Sequence, residues 1–194
     1  MHALAKRIFM VLVILAPVSL KAATYEFEGP YAIRVLDQGR ELELLGTFSW
    51  AVPQQVSVAL AEAPNVRRVR LESGGGHIVS ALAVAEIILA RNLDTYVARM
   101  CASACTIAFL AGHNRIVSPS AKLGFHQASG PGLASEQGNV MLRNVYESFS
   151  LPEAFIEHVL RTPPEGLWTP DLAVLRRARI VTEVAAEPAA VLPH

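Results

Sequence analysis

Residues 66–73, VRRVRLES, alternate apolar and basic positions and then stop at three glycines. A period of two predicts a strand with one buried face, ended where glycine breaks the pattern. ELELLGTF (41–48) reads as an earlier strand and its turn, after a polar entry segment. PQQVSVALAEA (53–63) predicts a helix with Pro53 near its start, where a missing N–H costs little. HIVSALAVAEIILARN (77–92) has helical length but is apolar nearly all round, so it is expected to be sandwiched between layers. LDTYVARM (93–100) predicts a strand, CTIAFLAG (105–112) a short buried helix, and RIVSPSAKLGFHQ (115–127) two short strands around a Ser-Pro-Ser turn.

A glycine-rich stretch, ASGPGLASEQG (128–138), leads into a helix expected at 139–149. It reads equally as a lid, a substrate groove or a simple connector. SLPE (150–153) has capping-box spacing, with Ser150 as N-cap and Glu153 reaching back. TPDLAVLRRA (169–178) opens with Thr169 as the expected cap and Asp171 in the first turn. The chain closes on VTEVAAEPAAVLPH, which reads as a frayed end. Alternation of strands and helices along one chain predicts an α/β fold with a largely parallel sheet.

The first residues change the picture of size and charge. MHALAKR is basic, IFMVLVILAPVSL is a short apolar run, and small residues follow at Ala22 and Ala23. This pattern predicts a signal peptide over 1–22, a domain over 24–183 and a flexible tail at 184–194. The expected location is periplasmic or secreted. An uncleaved anchor is the alternative, although a span needs about 20 apolar residues. The whole chain of 194 residues is 52% hydrophobic and formally neutral, enough for one core. Losing 1–22 removes Lys6, Arg7 and Lys21 and no acid, leaving a slightly acidic chain. No basic run with interleaved aromatics exists, so nucleic acid is not expected as a partner.

Chemistry concentrates in two places. In SGGGHI (73–78) the glycines leave backbone amides open between strand and helix, as in a phosphate cradle or an oxyanion hole, or simply a tight turn. GxGxxG and Walker A spacings are missing, which weakens nucleotide binding. In CASACTIAFLAG (101–112), Ser103 sits at a strand-to-helix turn beside the amide of Ala104. That placement suits a nucleophile as well as a helix cap. A base is then needed. After the leader the only lysine is Lys122, whereas His126 ends an apolar strand and opens a polar loop. Cys101 and Cys105 are the only cysteines. They can form a disulfide around the serine, pack as inert thiols, or place Cys105 as the nucleophile. A thiol redox role is disfavoured by the CxxxC spacing.

Taken together, LESGGGHI, ASACTIAFLAG with Gly112 nine residues after the serine, and FHQ (125–127) resemble the Clp-type serine peptidases of the crotonase-like fold. They are more similar still to a periplasmic Clp-like group with a Cys-x-Ser-x-Cys stretch. The resemblance covers about Arg67 to Gln127, and more loosely runs to Thr182. It implies repeated ββα units in one domain, with Ser103 as nucleophile, His126 as general base, and the amides of Gly75 and Ala104 as oxyanion hole. A third, acidic member should come from TPPEGLWTPDL, where Glu165 is preferred over Asp171. Gly74 stands where the family has proline, and the motifs that dock a Clp ATPase are not recognisable. The implied activity is ATP-independent hydrolysis of a peptide or protein by a homo-oligomer, without metal or cofactor. Rival readings are a non-catalytic binding or assembly module of the same fold and a crotonase-type acyl-CoA enzyme.

Overall fold

A computed structural model describes residues 24–25, 31–129 and 135–186. The expected leader, most of the expected tail and the middle of the glycine-rich stretch lie outside these residues. Strands β1 (Thr24–Tyr25), β2 (Tyr31–Leu36), β3 (Glu41–Gly46), β4 (Arg68–Glu72), β5 (Asp94–Val97), β7 (Arg115–Val117) and β9 (Glu183–Val184) form one sheet in that order. The β1–β2–β3 edge is antiparallel and the remainder parallel. A second, two-stranded parallel sheet holds β6 (Met100–Ala102) and β8 (Lys122–Gly124). Helices α1 (Val52–Glu62), α2 (Ile78–Ala90) and α3 (Cys105–Leu110) are crossovers, and α4 (Ser135–Ser148), α5 (Glu153–Arg161) and α6 (Leu172–Arg177) follow.

The repeat of two strands and a helix is visible in β5–β6–α3 and again in β7–β8–α4. In each unit the first strand joins the large sheet and the second joins the small one. Alternation in β3 and β4 explains the layers. Leu42, Leu44, Val69 and Leu71 are fully buried and face the helices, among them Val56, Leu60, Val84 and Ile88. The opposite positions carry a ladder of ions. Glu41 lies opposite Arg68 and Glu43 opposite Arg70 in the parallel register. Glu41 bonds Arg68 at 2.6 Å, and Glu43 approaches Arg70 at 3.4 Å. Buried acids of this kind persist because each has its counter-ion.

Several expectations are corrected. β2 forms from YAIRVL, within the expected polar entry segment. LDTYVARM is two strands rather than one, broken at Ala98–Arg99. The break has an identifiable cause: the buried carboxylate of Glu72 accepts the backbone N–H of Ala98, Arg99 and Met100 at 3.0–3.2 Å. The chain therefore turns out of the large sheet and enters the small one. α4 begins four residues earlier than expected. Ser150 is not a cap: it has φ 58° and closes the turn after α4, while α5 starts after Pro152 with no side-chain cap. α2 is not sandwiched, since Val79 and Leu89 are about half exposed. Part of the expected tail is also ordered, because Val184 pairs with Val117 and Ala185 donates to the Val117 carbonyl at 2.8 Å.

Candidate active site

Three chain segments end side by side. β4 continues into Ser73, which bridges Cys101 of β6: Ser73 N–H donates to Met100 C=O at 3.1 Å, and Ala102 N–H donates to Ser73 C=O at 2.9 Å. β6 pairs with β8, Ala102 opposite Gly124. The loops that leave these strands are 73–77, 103–104 and 125–129, so SGGG, the Ser103 turn and His126 share the carboxyl end of the small sheet. Ligands in parallel α/β architectures bind at that end.

Ser103 has φ 55°, in the left-handed region that serine rarely adopts. Its N–H donates to the Gly124 carbonyl at 2.8 Å, and its own carbonyl accepts from Thr106 Oγ at 2.7 Å. Ser103 is partly exposed, and its hydroxyl has no hydrogen bond among the described residues. The backbone turn is held and the nucleophilic oxygen is left unengaged. Gly75 approaches so closely that a Cβ there would sit 2.7 Å from Ser103 Cβ and 3.2 Å from the Ala104 nitrogen. With φ 113°, Gly75 is also in a conformation that side chains resist. Gly112, further along, is required for a different reason: a Cβ would collide with Thr95, whose hydroxyl bonds the Phe109 carbonyl.

The two expected oxyanion donors differ. The Ala104 N–H has no acceptor among the described residues. The Gly75 N–H donates to Ser73 Oγ at 3.0 Å, an acceptor within its own loop. Cys101 and Cys105, both fully buried, are joined in a disulfide across the turn, with Cα atoms 5.4 Å apart. No free thiol is present.

His126 is partly exposed, and its Nδ1 lies 2.7 Å from the Gln127 carbonyl oxygen. A carbonyl only accepts, so Nδ1 carries the proton of this bond, and Nε2 of the neutral ring keeps its lone pair. The expected acid does not reach the ring by any hydrogen bond or ion pair. Gln127 N–H bonds the Thr162 carbonyl, and Phe125 exchanges two hydrogen bonds with Trp168. The intervening segment, 163–167, loops out beside His126, with Glu165 exposed in its turn. Asp171 is the N-cap of α6, accepting from Val174 N–H at 2.8 Å, in the place expected of Thr169.

Two clefts flank these loops. One of about 400 Å³ is lined by Leu45, Gly46, Glu72, Ser73, Gly74, Arg99 and Met100. The other, about 600 Å³, runs beside the 163–167 loop between His158, Arg161, Pro163 and Trp168. Among the described residues no group of His, Cys, Asp and Glu is arranged to hold a metal, and no helix is long and apolar enough to cross a membrane.

Among solved structures, a ClpP1 mutant from Listeria monocytogenes superimposes with a TM-score of 0.61 over 77% of this chain and 92% of its own. The fold is Clp-like. Identity to that structure is 18%, so the likeness concerns the fold alone. No protein-family model matches the chain, and no curated protein does. Within the Clp-like fold, the turn at Ser103 and the end of β8 occupy neighbouring strand ends of the small sheet.

Proposed function

We propose that the protein is a serine peptidase or related acyl hydrolase, independent of ATP, with Ser103 as nucleophile and His126 as general base. The observation that carries this reading is the Ser103 turn. Its backbone is tied to the strand that leads to His126, its hydroxyl is unengaged, and the Ala104 amide is unpaired beside it. Nε2 of His126 takes the hydroxyl proton as Oγ attacks a substrate carbonyl. Ala104 N–H stabilises the resulting oxyanion. Gly75 N–H joins it when the oxyanion, a stronger acceptor than a neutral hydroxyl, displaces Ser73 Oγ. His126 then returns its proton to the leaving group, and water repeats the cycle on the acyl-enzyme. Glu165, exposed in the 163–167 loop, is the acid we assign as the third member.

The leader over 1–22 supports a periplasmic or secreted location, with membrane anchoring if it stays uncleaved. Exposed Trp50, Val79 and Leu89 support a homo-oligomer. One observation favours a second reading, a non-catalytic binding or assembly module: Glu165 has no bond to His126. Labelling of the purified protein with a fluorophosphonate separates the two. Labelling of wild type that disappears in Ser103→Ala and His126→Ala supports the hydrolase. A folded wild type that stays unlabelled selects the binding module.

A further inference from the structure

We propose that the Cys101–Cys105 disulfide is the positioning element of the nucleophile, so that Ser103 is activated only in oxidised protein. This deepens the hydrolase reading and rests on Ser103 being its nucleophile.

The bond joins the strand before the serine to the first residue of the helix after it, two residues away on either side. The rest of what holds this turn is non-covalent. Gly124 accepts the Ser103 N–H, Thr106 donates to the Ser103 carbonyl, and Gly75 packs against its Cβ. Each of these contacts can yield if the turn relaxes to a negative φ, the conformation serine ordinarily prefers. A covalent link between 101 and 105 restricts that relaxation directly. It does little else: a loop closed over a sequence separation of 4 removes the least freedom from the unfolded chain. Its effect is therefore local, on the residues it brackets.

Burial decides between a lock and a switch. Thiol–disulfide exchange needs a thiolate to reach a sulfur, and both cysteines are fully buried. The pair is set while the chain folds and does not cycle in the native state. In forming it, the two thiols lose two electrons and two protons to a disulfide oxidant, whose own S–S bond is reduced to two thiols. A trialkylphosphine reverses the step after brief unfolding. The phosphine becomes its oxide, taking oxygen from water, and the cysteines become thiols again.

The test compares fluorophosphonate labelling rates of the full chain in three forms: oxidised wild type, phosphine-reduced wild type, and Cys101→Ala/Cys105→Ala. Near-UV circular dichroism and thermal melting establish that each is folded. The expected result is labelling slower by at least about ten-fold in both folded forms that lack the bond, within the roughly 100-fold that a 1 Å misplacement can cost. Re-oxidation of the reduced wild type restores its rate. A folded double variant that labels at the wild-type rate overturns the proposal. Unfolding of both forms also overturns it, making the bond a general staple. Should oxidised wild type not label at all, the hydrolase reading fails, and the positioning role is decided by amide hydrogen exchange at Ser103 and Thr106. Faster exchange in the double variant supports the clamp; unchanged exchange overturns it.

Discussion

The Ser103 N–H donates to the carbonyl of Gly124 at 2.8 Å, which ties the turn carrying the candidate nucleophile to the strand that leads to the candidate base. The two groups are 23 positions apart in sequence and reach the site through different ββα units, so their relative placement depends on the small sheet. Substitutions that act on that sheet separate positioning from chemistry.

Gly75→Ala should be severe and Gly74→Ala mild. A methyl at 75 meets Ser103 Cβ at 2.7 Å and the Ala102 carbonyl at 2.9 Å in a conformation of positive φ, whereas a methyl at 74 meets nothing within 4 Å. Gly75→Ala is expected to cost about 1–3 kcal/mol and to abolish fluorophosphonate labelling. Gly74→Ala should stay within about 0.5 kcal/mol and label normally. Thermal melting and labelling of both variants check the pair.

Glu72→Gln tests the bend that diverts the chain into β6. The amide keeps one acceptor oxygen but turns a donor toward backbone N–H groups that both carboxylate oxygens now serve. A loss of about 1–3 kcal/mol is expected, with slower labelling of the folded fraction. Arg99→Ala should cost less than about 1 kcal/mol, because the Arg99 side chain is 79% exposed and its ion pair with Glu72 is screened. Equal melting temperatures for the two variants would contradict this account of the bend.

Tyr146 predicts a late alkaline titration. Burial raises its phenol to about 12, and the hydrogen bond to Thr106 offsets this only in part. A raised folded-state value favours the neutral form, so its contribution is complete below the unfolded value near 10 and is lost as pH rises toward 12. The contribution is on the order of 2–3 kcal/mol. Spectrophotometric titration should show a late phenolate component, with unfolding, that Tyr146→Phe removes.

Asp171→Ala should lower stability by about 1 kcal/mol through loss of the α6 cap, and leave labelling by the fluorophosphonate unchanged. Labelling lost in proportion to the activity of Ser103→Ala would instead place Asp171 in the chemistry.

Much of this was legible along the chain wherever a local rule decided the outcome. The period-two run of β4, the glycines after it, Pro53 at the start of α1 and the turn at Ser103 all depend on neighbours within a few residues. The failures have a common physical origin in contacts from afar. LDTYVARM has no breaker of its own; its break is imposed by Glu72 from another strand. Ser150 carries a cap signature, but Ser150 N–H bonding Glu147 and Leu151 N–H bonding Tyr146 draw it into closing α4. Nor could composition foresee that Gly75 N–H would find Ser73 Oγ, or that the Nδ1 of His126 would find the next residue's carbonyl in place of a carboxylate.

The paired charges of β3 and β4 act as a ruler for the site. Parallel strands closed only by aliphatic side chains can tolerate a slip that keeps apolar groups inside. Here a one-residue slip of β4 would turn Arg68 and Arg70 toward the aliphatic layer and set Val69 and Leu71 against Glu41 and Glu43. Such a slip would also carry Gly75 about 3.3 Å along its strand, off the Ser103 turn. Proofreading of alignment thus happens at the far end of β4, several residues before the glycines whose position it determines.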